Sequence, residues 1–193
     1  MGTLVLNGAT SGSTTLQPTD ATTQTITLPA NSGTVITTQS SGKVIPTAAL
    51  PAGSVLQVVS ATYSTATSTT STSYVATPLT ATITPSSATS KILILLTAPY
   101  NNPAGSAGAG MEITIFRGSI SGTNLGQATY GFGALNTISY NTYDTFSGSY
   151  YDSPATSSAQ TYTVGFRTEN AANTAWFCAL NAPATITLME IAA

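Results

Sequence analysis

SKILILLTAP, residues 90–99, holds the longest unbroken run of large apolar side chains in this chain. The side chains of a β-strand alternate between its two faces. Ile92, Ile94 and Leu96 therefore point to one face, and the two intervening leucines point to the other. Because the core of a two-sheet sandwich covers only one face, the stretch predicts a second cover. That cover is either another part of the chain or another copy of it.

The composition is typical of a β-rich protein with an uncharged polar surface. Charged residues are 5% of the chain, against about a quarter in soluble proteins generally, and Ser and Thr make up about a third. Thr, Val, Ile and Tyr favour pleated, half-buried surfaces, and periodic apolar clusters from residue 54 onward argue against disorder. The four cations are too dispersed to neutralise phosphates, so we expect no nucleic-acid partner. They are Lys43, Lys91, Arg117 and Arg167.

The sequence also predicts where the protein is made. Cys178 is the single cysteine, so no disulfide forms within the chain, and a buried apolar role is expected for it. No basic and long apolar leader follows Met1, so we expect no signal peptide. The run in 91–98 is too short to cross a bilayer, so we expect no membrane insertion. These features favour synthesis in a reducing cytosol and release by lysis.

Residues 1–53 differ from the rest of the chain. Short strand-like pieces alternate with glycine and proline, and no aromatic residue occurs before Tyr63. A segment so poor in large side chains has too little apolar surface to fold alone. We interpret it as an assembly arm that ends in the linker 40–53, and residues 54–193 as a head domain.

The apolar pattern of the head domain predicts about eight or nine strands and shows no helical periodicity. An antiparallel β-sandwich is the direct interpretation; a jelly roll also suits strands of this length, and periodicity does not separate the two. Pro78 and Pro85 bound a predicted edge strand, and STATSTTSTS (64–73) is an exposed loop or edge. Glu112, Thr114, Thr163 and Arg167 are predicted to point outward. The alternating residues predicted to point inward are Leu79, Ala81, Ile83, Met111, Ile113, Ile115, Tyr162, Val164 and Phe166.

No recognisable catalytic apparatus is present. The chain has no histidine, which removes Ser–His–Asp and Cys–His pairs and the usual zinc sites. Asp144 and Asp152 flank SGSYY as solvated turn residues would; a calcium site or carboxylate pair is the alternative. We therefore expect no catalytic, cofactor-binding or metal-binding residues, and a protein that is not an enzyme.

Two further features concern surfaces. Four tyrosines could stack on sugars or meet a receptor, although cross-strand aromatic pairing is the favoured reading; they are Tyr140, Tyr143, Tyr150 and Tyr151. Glu190 lies in an apolar strand between Met189 and Ile191. It is expected either at a rim or paired with a cation, Arg167 or Arg117.

NGATSGSTTLQPTDATTQTITLPANSGTVITT (7–38) resembles the segment near the start of many fibre and other virion surface proteins of tailed bacteriophages. Several later segments resemble their C-terminal heads, in the same order: LPAGSVLQVVSATYS (50–64), SATSKILILLTA (87–98), ITIFRGS (113–119), YTVGFRTEN (162–170) and ATITLMEI (184–191). The resemblance implies a homotrimeric jelly-roll head of the tumour-necrosis-factor-like kind. The chain lacks the long shaft and the coiled coil of a full fibre.

This resemblance carries the functional expectation. In such trimers one sheet packs against its copies around a threefold axis. We therefore expect Leu93, Leu95, Met189 and Ile191 at the trimer interface. The protein is expected on the virion, where the arm binds capsid or tail proteins and the head contacts a host glycan or protein. A capsid decoration (cement) protein that bridges capsomers is the alternative, and a tailspike glycosidase is a third, disfavoured one.

Overall fold

The computed structural model describes residues 4–7, 13–16, 50–102, 110–136 and 142–193. Every strand in these ranges pairs antiparallel with its neighbours, and none of the ranges contains an α-helix. The one helical element within these ranges is a short 3-10 turn, Ala179–Asn181. The predicted all-β fold is therefore confirmed.

The chain divides into two compact units, Met1–Ile45 and Pro46–Ala193. The described part of the first unit is an antiparallel pair of strands, β1 (Leu4–Asn7) and β2 (Ser13–Leu16). The other residues up to 49, which include most of the predicted arm and linker, lie outside the described residues. Their role in assembly stays a prediction.

The second unit contains the remaining strands. In chain order they are β3 (Val55–Tyr63), β4 (Thr67–Thr69), β5 (Val75–Ile83), β6 (Lys91–Asn102), β7 (Gly110–Arg117), β8 (Thr123–Asn124), β9 (Gly133–Asn136), β10 (Thr142–Asp152), β11 (Gln160–Thr168), β12 (Ala175–Phe177) and β13 (Ala184–Ile191).

These strands form two sheets. The first sheet has the order β3-β13-β6-β12-β4, with β10 on the other side of β6. The second has the order β5-β11-β7-β8, with β9 also paired to β7. The pairing is nested, because β3 pairs with β13, β5 with β11 and β6 with β10. A long hairpin rolled into two layers gives this order, which is that of a jelly roll.

The core lies between the two sheets and confirms the predicted alternation. Ile92, Ile94 and Leu96 of β6 are buried, and all the residues predicted to point inward are buried with them. Phe166 of β11 and Phe177 of β12 lie with ring centroids 5.9 Å apart across the sandwich. The predicted edge position of β5 is also confirmed, and so is the edge character of 64–73, where β4 lies.

The outer face of the second sheet corrects one expectation. Glu112 and Thr114 of β7 do point away from the core, but both are fully buried instead of solvated. Later and earlier parts of the chain cover them. Thr114 donates a hydrogen bond to Asn124 Oδ1 at 2.5 Å, and the ring of Tyr74 packs edge-on against Phe116 at 5.8 Å. The segments 71–74 and 118–132 therefore act as an intramolecular lid on this face.

Candidate functional site

The outer face of the first sheet carries a continuous apolar row. In the strand register, Met189 of β13 lies opposite Val58 of β3 on one side and opposite Leu93 of β6 on the other. Leu93 in turn lies opposite Tyr151 of β10. Directly opposed residues share one face of a sheet. We call these four side chains, one from each of four neighbouring strands, the apolar row.

No part of the second unit that the structure describes covers the apolar row as the lid covers the second sheet. Val58 is 56% exposed and Tyr151 is 54% exposed at its two ends, while Leu93 and Met189 between them are half-buried. Leu95 is exposed one row further along β6. Side chains of this size are rarely exposed side by side without a binding role. This row is the candidate functional site.

All four residues predicted for the interface lie on this face. Ile191 lies one row away from Met189, opposite Val55 and Lys91, and Val55 is itself exposed. The sequence analysis missed Val55 and Val58 as outer-face residues. The register of β13 with β3 shifts between Glu190 and Ile191. Strict alternation along β3 would therefore place Val55 and Val58 on opposite faces, although both lie on the outer face.

The rest of this face is polar but almost uncharged. Ser60 and Thr187 lie 3.0 Å apart, hydroxyl to hydroxyl, and Thr62 and Thr185 lie 3.1 Å apart. Among the outward positions described on β3, β13, β6 and β10, Lys91 is the one charged residue. The face therefore combines an apolar row with hydroxyl-bearing rows and adds little electrostatic repulsion between like surfaces.

The four tyrosines considered for surface binding do not form one cluster. Tyr143 and Tyr151 are exposed on the outer face of β10. Tyr150 points to the opposite face, where its ring centroid lies 5.5 Å from that of Phe132 in the segment 118–132. Tyr140 lies outside the described residues.

Asp152 is not the solvated turn residue that the sequence suggests. It is buried at the end of β10, where Arg117 Nη1 lies 3.1 Å from its Oδ1 and Tyr162 Oη donates to its Oδ2 at 2.8 Å. SGSYY is therefore the interior of a strand, and Asp144 is an exposed residue of that strand. Burial, together with this carboxylate, raises the pKa of Tyr162 above its ordinary value. The contact ties the first sheet to the second.

Glu190 is buried, and the expected cation partner is wrong. Its carboxylate accepts hydrogen bonds from Gln57 Nε2 at 2.6 Å and from the backbone N–H and hydroxyl of Ser86 at 2.7 Å each. Burial alone raises the pKa of Glu190, but the hydrogen bonds from Ser86, Gln57 and Ser90 outweigh it and hold the pKa below its ordinary value. The carboxylate fastens the segment after β5 to β3 and β13.

The arginines named as its partners are engaged elsewhere. Arg117 binds Asp152, and Arg167 Nε lies 2.7 Å from Glu112 Oε2. Burial raises the pKa of Glu112 above its ordinary value, although Arg167 opposes the rise. The Arg117–Asp152 pair joins the two sheets, whereas Arg167 and Glu112 lie opposite each other within the second sheet.

The thiol of Cys178 is buried, as predicted, with Sγ 3.2 Å from the carbonyl oxygen of Tyr63, and burial raises its pKa. No cluster of three or more His, Cys, Asp or Glu side chains suited to a metal ion occurs in the described ranges. Within those ranges no helix is long and apolar enough to cross a membrane.

Comparison with protein-family models and with curated proteins finds no match to this chain.

Proposed function

We propose that this chain is a non-enzymatic structural protein that forms a homotrimer through the outer face of its first sheet. The observation that carries the proposal is the uncovered apolar row across β3, β13, β6 and β10. Burying a large apolar side chain contributes on the order of 1.5–3 kcal/mol relative to leaving it exposed. Four such side chains in each copy give association a substantial driving force.

A second copy of the chain suits this face better than a charged partner does. Self-association brings identical surfaces or neighbouring parts of one surface together, so charge on the face would repel. Lys91 is the one charge found there. The Ser and Thr rows beside the apolar row can hydrogen-bond across the contact. Closed rings of identical copies are the usual form of such assemblies, and the resemblance to phage heads indicates three.

We place the trimer on the surface of a tailed-phage virion, made in the host cytoplasm. This part of the proposal rests on the resemblance of the segments quoted above and on the jelly-roll order of the strands. The N-terminal unit would bind capsid or tail proteins, and the head would contact a glycan or protein of the host surface. The alternative role is a decoration protein that bridges capsomers.

The test is to locate the protein on particles and to remove it. Antibodies against the purified head should label virions from a lysate, and an electron micrograph then shows whether the label lies on the tail or the capsid. Particles without the protein should adsorb poorly to cells while the capsid keeps its heat stability. Unlabelled particles would contradict the virion assignment. Normal adsorption with a capsid that breaks at lower temperature would favour the decoration role.

A further inference from the structure

A second outward-facing row at the other end of the first sheet is aromatic. Asn101 of β6 lies opposite Trp176 of β12 on one side and opposite Tyr143 of β10 on the other. Trp176 is 39% exposed and Tyr143 is 56% exposed, while Asn101 between them is buried. Two exposed rings thus flank one amide, roughly 10 Å apart at two strand spacings. We call these three residues the aromatic row.

The aromatic row is separate from the apolar row. Asn101 lies eight positions after Leu93 along β6, which is roughly 26 Å along an extended strand. The outward positions between them include the hydroxyl rows, with Thr97 opposite Thr185 and Ser147. A contact that buries the apolar row therefore does not have to reach the aromatic one.

A small cleft opens beside Tyr143. It has a volume of about 200 Å³, and its lining includes Pro99, Asp144, Thr145 and Leu180. Ligand pockets for drug-sized molecules measure about 300–1,000 Å³, so this cleft suits a single ring. It combines apolar walls with the hydroxyl-bearing side chain of Thr145, which is exposed.

The backbone beside the cleft is strained. Cys178, Leu180 and Asn181 have φ values of 54°, 58° and 57°, in the left-handed region, and Leu180 is exposed there. Residues other than glycine seldom adopt such conformations, which are found most often at binding and active sites. The strain keeps an apolar side chain in solvent at the edge of the cleft, where a ligand would contact it.

The side chains at this site are suited to binding a neutral sugar ring. The flat faces of Trp176 and Tyr143 are apolar and electron-rich, which suits the C–H face of a pyranose. The ring's hydroxyls need acceptors and donors beside that face, and the hydroxyl of Thr145, which shares the outer face with Tyr143, is placed there. No cation is among the described residues that line the cleft or form the row, so an anionic sugar or a phosphate has no counter-charge.

We propose that the aromatic row and its cleft bind a neutral hexopyranose unit of a surface glycan. The site deepens the proposed host contact, on which its biological meaning rests, but sugar binding itself can be measured without that assumption. Trp176 and Tyr143 supply the stacking surfaces, and the hydroxyl of Thr145 exchanges hydrogen bonds with the hydroxyls of the sugar. The competing occupant is a second copy of the chain.

Trp176 is the single tryptophan of the chain, so its fluorescence reports on the site directly. We would titrate the full-length protein with the methyl glycosides of glucose, galactose and N-acetylglucosamine. At least one should change the Trp176 emission saturably, with a shift to shorter wavelength as the ring leaves water. Tyr143→Ala should weaken that binding about tenfold, which matches the upper range of aromatic stacking energies.

Tyr130→Ala is the matched control. Tyr130 is about as exposed as Tyr143 but lies in the lid of the second sheet, so its loss should leave the dissociation constant unchanged. If none of the three sugars changes the emission, or if Tyr143→Ala binds as tightly as the wild type, the proposal is wrong. An emission shift that appears on raising the protein concentration without sugar would also overturn it, because a second copy would then occupy the site.

Oligomeric state measured on the same samples separates this proposal from the previous one. A trimer that binds no sugar refutes the glycan site and leaves assembly standing. A monomer that binds sugar, with loss of binding in Tyr143→Ala, refutes assembly and supports the site.

Discussion

The two sheets of this protein both carry apolar or buried groups on their outer faces, but they differ in what covers them. On the second sheet, Phe116 and Ile120 lie so close over Gly165 that a Cβ there would come within 2.8 Å of both side chains. Glu112 and Thr114 beside them are fully buried. On the first sheet, Val58 and Tyr151 are more than half exposed at equivalent outward positions.

The difference concerns what covers the outer face of each sheet. The second sheet is covered by the chain's own segments at 71–74 and 118–132, in which the carbonyl oxygens of Thr72 and Thr129 accept hydrogen bonds from Arg167. The first sheet receives no such segment from the described residues and presents a nearly uncharged surface. The first arrangement stabilises the fold within one molecule, whereas the second favours contact between molecules. Substitutions on the two faces should therefore affect different measurements.

The largest expected effect is on the covered face. Arg167→Met leaves the carboxylate of Glu112 buried without the cation that lies 2.7 Å from it. Removing one partner of a buried ion pair costs about 3–5 kcal/mol, to be measured as the free energy of unfolding in urea. Lys91→Met on the uncovered face is the control, and a change of less than about 0.5 kcal/mol is expected there.

This variant also has a defined pH dependence. Burial already raises the pKa of Glu112, and loss of Arg167 should raise it further. A carboxyl whose pKa is higher in the folded state loses stabilisation as pH rises through that pKa. The difference in stability between Arg167→Met and the wild type should therefore narrow on acidification. A difference that widens towards acid pH would contradict the assignment.

The next effect is on the uncovered face and concerns association. Leu93→Asp puts a charge at the centre of the apolar row and also forfeits on the order of 1.5–3 kcal/mol of apolar burial in each copy. We expect a folded monomer in sedimentation velocity experiments. Thr80→Asp, at an exposed outward position of β5, is the control and should leave the assembly unchanged. A well-folded Leu93→Asp trimer would place the interface elsewhere.

Glu190 tests whether stability of the first sheet can change without a change in assembly. Glu190→Gln removes a buried carboxylate that accepts from Ser86 and Gln57, at a cost of about 1.5 kcal/mol near neutral pH. Because the folded-state pKa is lowered, this stabilisation exists above the ordinary pKa and is lost as pH falls through the folded one. Thermal melts should show the two proteins converging in acid, with oligomeric state unaffected.

The smallest and sharpest comparison is between two neighbouring tyrosines of β10. Tyr151→Ser, at the edge of the apolar row, should weaken association several-fold and leave the free energy of unfolding of the separated chain within about 0.5 kcal/mol of wild type. Tyr150→Ser removes a ring packed against Phe132 and should lower that free energy by about 1–3 kcal/mol. If both substitutions weaken association, or both lower the free energy of unfolding, the two faces of β10 do not have distinct roles.

Alternation alone predicted most of the core. Residues such as Leu79, Ile113 and Phe166 lie where a period of two places them, because one face of each of these strands is buried. The β-sandwich follows from that pattern. The choice of a jelly roll over an immunoglobulin-like sandwich needed the pairing of β3 with β13 and β5 with β11, which is a non-local property.

The predictions that the structure corrects failed for identifiable physical reasons. SGSYY reads as a turn, but Gly148 lies within a strand, where a Cβ would come 2.6 Å from the ring of Phe146. Glu112 reads as solvated because the residues that cover it are far away in sequence. Glu190 needed no cation because neutral donors satisfy it. The aromatic row joins Trp176 to Tyr143 across three strands, so no sequence spacing reveals it.

The mass of the wild-type protein in solution tests the central claim most directly, namely that copies of the same chain cover the outer face of the first sheet. Sedimentation equilibrium at micromolar concentration should give about three times the 19.5 kDa of one chain, and Leu93→Asp should give the mass of a single chain. A wild-type protein that is monomeric throughout the micromolar range would contradict the account.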